Sequence, residues 1–293
     1  GEPALRVLEL LSREKSCVHP DKRCNGESCP LAKGFYDRLP TARAAAVDVS
    51  PLTQTSLRAL AARHSVCPYY LGQEMVRWAD VVVGDYNYFF DGSAILSALQ
   101  MLNEWQVTVL VDEAHNLVDR ARDMYSLTLD EDALRDAIKV APGSLKPALR
   151  RVGKALSDLA NVDEAAYRVL ECIPDALTGA LSEFISSGSR LLAESRDEFA
   201  AELQQFYFDA IGYTRLAEVF GPHSMIDVTL DEPDTTRLAI RNIVPAPFLK
   251  PRFEAAHGAV IFSATLNPPA YYRDLLGLPE TAPWLDVPSP FAP

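Results

Sequence analysis

The sequence predicts an α/β fold with a large all-α insertion, and three observations lead to this prediction. Two short apolar runs, residues 81–83 and 107–111, have the composition of buried parallel strands. Over residues 119–240 the apolar side chains recur at helical spacing instead. A third run, residues 258–266 (GAVIFSATL), returns to strand composition. We therefore expect a parallel-sheet domain that is interrupted by a helical insertion.

Composition changes divide the chain into four segments. The first holds four of the five cysteines and many turn residues, and two helix-like stretches follow them. Thr53 is the expected N-cap of the first helix. Pro68 is expected to open the second, because a proline at the first helical position loses no hydrogen bond. We expect a cysteine-bearing domain at 1–78, a sheet domain at 79–118 and 241–293, and a helical insertion at 119–240. The first residues of the cysteine-bearing domain could belong to the sheet domain.

The composition is that of an ordinary globular protein. The 293 residues are 48% hydrophobic. No run approaches the roughly 18 consecutive apolar residues of a membrane span. The first residues, GEPALRVLELLSREK, lack the basic-then-apolar plan of a secretory signal. We expect a cytoplasmic protein with reduced thiols.

Charge is distributed unevenly along the chain. The net charge is −12, which by itself argues against a nucleic-acid partner. Residues 1–78, however, carry 11 Lys and Arg against 8 Asp and Glu, whereas residues 119–240 carry 13 against 22. Only the cysteine-bearing segment is basic, so it is the part of the chain that we expect to meet phosphates.

The order of elements in the second segment is strand, helix, strand. Residues 81–83 (VVV) end at Gly84, SAILSALQML reads as a helix, and residues 107–111 (VTVLV) end at Asp112. This order predicts a βαβ unit, in which ligands bind at the carboxyl ends of the strands. Asp112 is therefore expected at the ligand edge of the sheet.

The motif VLVDEAHNL has the form of a Mg-nucleotide site. A strand that delivers two carboxylates at its tip lets the first, Asp112, hold the metal through water and the second, Glu113, polarise the attacking water. His115 is placed to relay the nucleotide state to a neighbouring strand. The alternative is an ordinary helix N-terminus, where acidic residues are favoured by the helix dipole. The joint occurrence with Ser263 and Thr265 in GAVIFSATL favours the nucleotide site over a simple strand-to-turn junction.

Four cysteines with unequal spacing predict a metal or cluster site. The pattern is Cys17-x6-Cys24-x4-Cys29-x37-Cys67, and in a reducing compartment such a set favours metal binding over disulfides. The paired C-x2-C knuckles of a zinc ribbon are missing, which favours a 4Fe-4S cluster over structural zinc. His19 is a less favoured substitute ligand. Cys172 is expected to be a half-buried structural thiol outside this site.

Basic residues surround these cysteines. They could contact phosphates, or could simply solvate a small domain and offset a thiolate cluster. The candidates for DNA contact are Lys15, Lys22, Arg23, Lys33 and Arg38.

Taken together, these motifs resemble the XPD/DinG group of superfamily 2 DNA helicases. In that group an iron-sulfur domain precedes the DEAH box, and a helical arch domain lies between the DEAH box and the SAT motif. The order in this chain is the same across nearly its whole length. The bacterial DinG-like branch is the nearest in CVHPDKRCNGESCPLAKGFYDRLP and VCPYYLGQEMVRWADVVVGDYNYFFD.

The resemblance implies a role for each motif. Residues 79–118 and 241–293 would form part of a first RecA-like motor domain, with residues 119–240 as the arch. The whole protein would be an ATP-dependent helicase that moves 5′ to 3′ on single-stranded DNA and acts in DNA repair or replication near the bacterial nucleoid. The implied residues are Cys17, Cys24, Cys29 and Cys67 for a 4Fe-4S cluster, Asp112, Glu113 and His115 for Mg-ATP, Ser263 and Thr265 for coupling, and Tyr86 and Tyr88, beside Asp85 and Asn87, for DNA.

Two departures from the group's pattern bear on activity. The sequence contains no G-x-x-x-x-G-K-[ST] phosphate loop, and no second motor domain follows the SAT motif. We therefore expect the isolated chain to be inactive as an ATPase. Two alternatives remain open: a non-catalytic metal-cluster module that binds DNA, and a four-cysteine zinc domain with a purely structural role.

Overall fold

The computed structural model describes residues 5–160, 166–194, 199–231 and 235–288, which form two compact units. The first unit comprises residues 1–89 and 93–104, and the second comprises residues 90–92 and 105–293. The outermost residues of the expected domain ranges, 1–4 and 289–293, lie outside the described chain. Among the described helices, none is long and apolar enough to cross a membrane.

The first unit combines a small parallel sheet with several helices. Strand β1 (Val7–Leu10) pairs in parallel with β2 (Val81–Gly84), in a register that sets Val7 opposite Val81. The strand at residues 81–83 is thus confirmed, but its expected burial is wrong, since Val83 is 56% exposed. A two-stranded sheet leaves part of its surface uncovered in the described chain. The helices are α1 (Arg13–Ser16), α2 (Phe35–Val47), α3 (Gln54–His64), α4 (Pro68–Met75), α5 (Asn87–Phe90) and α6 (Ile95–Asn103).

Both expected helix starts in the first unit are confirmed. Thr53 caps α3, because its side-chain oxygen accepts a hydrogen bond from the backbone N–H of Ser56. Pro68 is the first residue of α4, directly after Cys67. These local rules hold because they depend on neighbouring residues alone.

A second parallel pair carries the two loops of the nucleotide motif. Strand β3 (Thr108–Val111) pairs with β8 (Gly258–Ile261), and Val111 stands opposite Ile261. The expectation that β2 and β3 form one βαβ unit is wrong, because each strand pairs with a partner distant in sequence. Chain order indicated the strands but not their neighbours, since pairing depends on contacts between residues far apart in the sequence.

Residues 119–240 do not form an all-helical insertion, and that part of the predicted fold is wrong. An antiparallel sheet of four strands runs through this segment in the order β4, β7, β6, β5. The strands are β4 (Leu127–Asp130), β5 (Tyr167–Leu170), β6 (Ser224–Asp231) and β7 (Thr235–Asn242). The helices beside it are α7 (Leu117–Met124), α8 (Glu131–Val140), α9 (Lys146–Ala160), α10 (Asp175–Glu194) and α11 (Ala201–Glu218), and α12 (Ala246–Ala255) and α13 (Pro269–Leu276) flank β8.

The reason for the error is visible in the sequence of β7. Leu238 and Ile240 are buried on one face, while Arg237 and Arg241 point to the other. This alternation has the period of two that is typical of a strand. Long stretches with helical spacing surround this short alternating run, so the segment was predicted to be helical throughout. In the fold, the run pairs with β6 and forms a strand.

The core of the second unit packs α8 to α11 against one face of this sheet. Its large side chains include Phe184 on α10 and Phe206 and Tyr207 on α11, all buried. At Gly188 the two helices come so close that a Cβ would lie 2.7 Å from the Tyr207 ring. A glycine is therefore required there for close packing rather than for backbone freedom.

Candidate functional site

The loops after β3 and β8 lie side by side. Beyond the last paired strand residues, the backbone N–H of Phe262 donates to the carbonyl of Val111 at 3.0 Å. The N–H of Ala114 in turn donates to the carbonyl of Phe262 at 3.1 Å. These two bonds continue the parallel ladder past both strand ends, so the residues that follow each strand are held together.

Three predicted site residues are in contact there. Ser263 Oγ lies 2.8 Å from His115 Nδ1 and donates to Glu113 Oε2 at 3.3 Å. His115 Nδ1 also lies 3.3 Å from Glu113 Oε2. The Ser263 hydroxyl has one hydrogen, and here it donates that hydrogen to the Glu113 carboxylate. The 2.8 Å contact with His115 is then a hydrogen bond in which a protonated Nδ1 donates to Ser263 Oγ. Thr265 joins through its backbone N–H, which donates to Ser263 Oγ at 3.3 Å.

The backbone at Glu113 is in an unusual conformation. Its φ of 46° and ψ of 42° lie in the left-handed region, which costs energy for a residue with a Cβ. The Asp112 carboxylate accepts a hydrogen bond from the Glu113 N–H at 2.8 Å and supports this turn. The Glu113 side chain is 59% exposed, so solvent and a ligand can reach it. Strain held at a solvent-accessible carboxylate is typical of a functional position.

The four cysteines of the predicted metal site all lie in the first unit and are free thiols. Burial raises the pKa of the half-buried Cys67 thiol, and the nearby charges of Cys17 and Cys24 raise it further. The donor chemistry suits a thiolate-bound group. Within the described ranges, however, no three His, Cys, Asp or Glu side chains are gathered tightly enough to hold a metal ion. The expectation for Cys172 is wrong, because it is exposed.

The predicted DNA-contact residues differ in what their side chains do. Lys22, Arg23 and Lys33 are exposed, as a phosphate contact requires, and so is Lys15 at the end of α1. Arg38 is partly buried and donates to backbone carbonyls of its own unit.

Neither predicted DNA-stacking tyrosine is an open platform. The Tyr88 hydroxyl donates to the carbonyl of Leu11 at 2.7 Å, and burial raises its pKa to about 12. Tyr86 is only partly exposed. Sequence reasoning missed Tyr36, whose side chain is 82% exposed beside the buried Phe35 ring. Its position after a glycine turn and next to basic residues was the available signal.

The family comparison covers the first part of the chain. Residues 2–134, which include the four cysteines and the Asp112 loop, match the family model DEAD_2. The resemblance to XPD/DinG-type superfamily 2 helicases that the motifs predict is confirmed.

Particular relatives carry helicase names. The chain is 30% identical over 156 residues to the Regulator of telomere elongation helicase 1 homolog of Anopheles gambiae, covering 48% of this chain and 15% of that protein. It is 27% identical over 159 residues to the General transcription and DNA repair factor IIH helicase subunit XPD of Dictyostelium discoideum, covering 54% and 19%. A Fanconi anemia group J protein homolog of Gallus gallus is 29% identical over 151 residues, covering 44% and 12%. The matches thus span less than a fifth of each relative.

Solved structures support the fold. One titled XPD_Helicase superposes with a TM-score of 0.59 at 18% identity, covering 95% of this chain and 48% of that one. Another, titled Truncated XPD, gives a TM-score of 0.60 at 20% identity and covers 98% and 81%. The chain therefore has an XPD-like fold that mixes parallel sheets with many helices.

Proposed function

We propose that this chain is part of an ATP-dependent DNA helicase that moves 5′ to 3′ on single-stranded DNA in repair or replication. The observation that carries the proposal is the three-way contact of Glu113, His115 and Ser263. It joins the two motifs that the resemblance assigns to ATP hydrolysis and to movement. A chance pair of strand ends would have no reason to bring these side chains together.

In this proposal the two carboxylates have separate roles. Asp112 would hold a Mg²⁺ ion through water, since that ion prefers oxygen ligands in proteins. When bound, Mg-ATP supplies the phosphoanhydride that is cleaved. Glu113 orients the attacking water beside the γ-phosphate. The strained backbone of Glu113 supports this role, since it fixes the direction in which the carboxylate leaves the strand.

Ser263 and His115 control where the Glu113 carboxylate points. In the contact described above, the Ser263 hydroxyl holds one carboxylate oxygen. If Glu113 engages the water through Oε2, it exchanges the Ser263 bond for one to the water. This exchange would release the Ser263 hydroxyl, to which the Thr265 N–H also donates. Hydrolysis and loop movement are thereby linked through one hydroxyl, which is the coupling that we propose for Ser263 and Thr265.

Glu113→Gln in the whole protein tests the catalytic role. The amide keeps the size of the side chain but is a poor base, so we expect DNA-stimulated ATP turnover to fall by about 100-fold or more, with ATP binding retained. Turnover close to wild type would rule out Glu113 as the residue that activates water. The isolated chain, which contains no phosphate-loop motif, is expected to show no ATP turnover.

The cysteines are proposed to bind a 4Fe-4S cluster. Four free thiols within one unit support this assignment, and two of them, Cys17 and Cys24, lie close enough to Cys67 to raise its pKa. Anaerobic purification should give a brown protein with iron and acid-labile sulfide. Zinc in a colourless protein would support the structural alternative instead.

We propose that the basic segment of the first unit binds the DNA. Lys22, Arg23 and Lys33 are exposed there, and Tyr36 offers a ring on which a base can stack. Charge reversal at Lys22 and Arg23 tests the phosphate contacts: single-strand affinity should fall, and should depend less steeply on salt. If the chain binds DNA while the wild-type whole protein neither turns over ATP nor unwinds duplexes, the non-catalytic module becomes the better description.

A further inference from the structure

Arg38 ties together three backbone segments of the first unit. Its Nε donates to the carbonyl of Ser65 at 2.9 Å. Its Nη2 donates to the carbonyl of Lys33 at 2.6 Å and, more weakly, to that of Pro30 at 3.4 Å. A guanidinium presents donors in a rigid fork, so one side chain can fix several carbonyls at once.

These carbonyls belong to the segments that carry two of the cysteines. Pro30 directly follows Cys29, and Ser65 stands two residues before Cys67. The two cysteines are separated by 37 residues. Arg38 therefore bridges the widest gap in the cysteine pattern through hydrogen bonds to the backbone beside each of them.

The local backbone is shaped to allow this bridge. Gly34, the N-cap of α2, has a φ of 64°, and a Cβ at this position would lie 3.0 Å from Arg38 Nη1. Ser65, at the end of α3, also adopts a left-handed conformation with a φ of 53°. Its own N–H closes the helix, and its carbonyl accepts from the guanidinium. Two unusual backbone positions thus converge on one side chain.

We propose that Arg38 is a positioning residue of the cysteine site: it fixes the backbone beside Cys29 and Cys67 so that both thiolates can bind one group. The inference rests on the proposed cluster function. It also separates Arg38 from the neighbouring basic residues, because its Nε and Nη2 donate to carbonyls of the protein.

The test compares four forms of the full chain, purified without oxygen: wild type, Arg38→Ala, Arg38→Lys and Arg150→Ala. Iron and sulfide per chain, the visible spectrum and the rate of iron release to a chelator are measured, with far-UV circular dichroism as a check on the fold. Loss of a supporting partner typically weakens metal binding about 10- to 100-fold, so Arg38→Ala should release iron at least about 10-fold faster. Arg38→Lys should be intermediate, since lysine can donate to some of the carbonyls. Arg150 is exposed on α9 in the second unit, so Arg150→Ala removes the same charge and should match wild type.

The outcomes separate the two proposals. A wild type without iron overturns the cluster, whatever Arg38 does. A wild type with iron, together with an Arg38→Ala variant that releases it at the same rate, overturns the role of Arg38. If Arg38→Ala does not fold, Gly34→Ala decides, because its Cβ would press on the guanidinium. Gly26→Ala is a control for added bulk alone, since the nearest atom to a Cβ there is 3.7 Å away, whereas Gly34→Ala also strains a backbone with a φ of 64°. If Gly34→Ala, Gly26→Ala and Arg38→Lys all release iron at the same rate, the inference is also rejected.

Discussion

Ser263 Oγ lies 2.8 Å from His115 Nδ1, across the ends of two parallel strands that are far apart in the sequence. The same hydroxyl donates to Glu113. One side chain after β8 therefore contacts both functional side chains after β3. A change in the position of either loop must alter the other, because hydrogen bonds of this length tolerate little displacement.

Removing this hydroxyl should uncouple the two loops. In the whole protein, Ser263→Ala removes the hydrogen bond that the serine donates to the Glu113 carboxylate. A hydrogen bond to a charged group contributes about 1.5 to 3 kcal/mol. We expect DNA unwinding to fall about 10-fold or more, and to fall further than ATP turnover. Ser263→Thr keeps the hydroxyl and should restore most of the activity. Equal losses of unwinding and ATP turnover in Ser263→Ala would contradict a coupling role.

Two glycines on α10 should respond in opposite ways to the same substitution. At Gly188 an added methyl meets the Tyr207 ring, so Gly188→Ala should destabilise the chain by about 1 to 3 kcal/mol. At Gly179 no atom lies within 4 Å of a Cβ, so Gly179→Ala should stabilise it by about 0.5 to 1 kcal/mol. Denaturant unfolding of both variants measures the difference. A neutral or stabilising Gly188→Ala would show that the helices can separate at little cost.

The Arg6 and Asp80 ion pair predicts a specific dependence on pH. Hydrogen bonds from the Arg6 side chain and backbone N–H lower the pKa of Asp80 from 3.8 to about 2. Because the folded pKa is lower than the unfolded one, the pair stabilises the fold above pH 3.8 and loses its effect as the pH falls towards about 2. The pair is exposed, so the contribution is small and is weakened by salt.

Carboxyl titration by NMR checks this directly. Asp80 should titrate near pH 2 in the wild type, and Arg6→Gln should return its pKa towards 3.8. The stability difference between Asp80→Asn and wild type should disappear over the same range. An Asp80 that titrates normally in the wild type would mean that the pair does not persist in solution.

Tyr36 should contribute to the binding of single strands. An exposed ring that stacks on a base is worth about 1 to 3 kcal/mol, so Tyr36→Ala should weaken affinity for a single-stranded oligonucleotide about 5- to 150-fold. Tyr36→Phe keeps the ring and should bind like wild type. Fluorescence anisotropy on the isolated chain measures both. Unchanged affinity in Tyr36→Ala would remove this residue from the proposed interface.

Much of the candidate site was predictable because its signals are local. Asp112 and Glu113 follow an apolar strand, Thr53 caps a helix, and Pro68 opens one, and each depends on only a few neighbouring residues. The exposed Tyr36 and the fixed Arg38 could not be distinguished by sequence. Both belong to the same basic stretch, and only the path of the backbone decides whether a side chain meets solvent or carbonyls.

The sequence by itself determined that Asp112 and Glu113 follow an apolar strand, and where α3 and α4 begin. It also carried the family resemblance, because motif order survives at low identity. The tertiary structure decided the rest: β3 pairs with β8, a four-stranded antiparallel sheet runs through the expected helical insertion, and Ser263 contacts Glu113 and His115. The physical reason is that strand pairing and side-chain contact join residues more than a hundred positions apart. Their energies depend on register and close packing, which a local pattern does not specify.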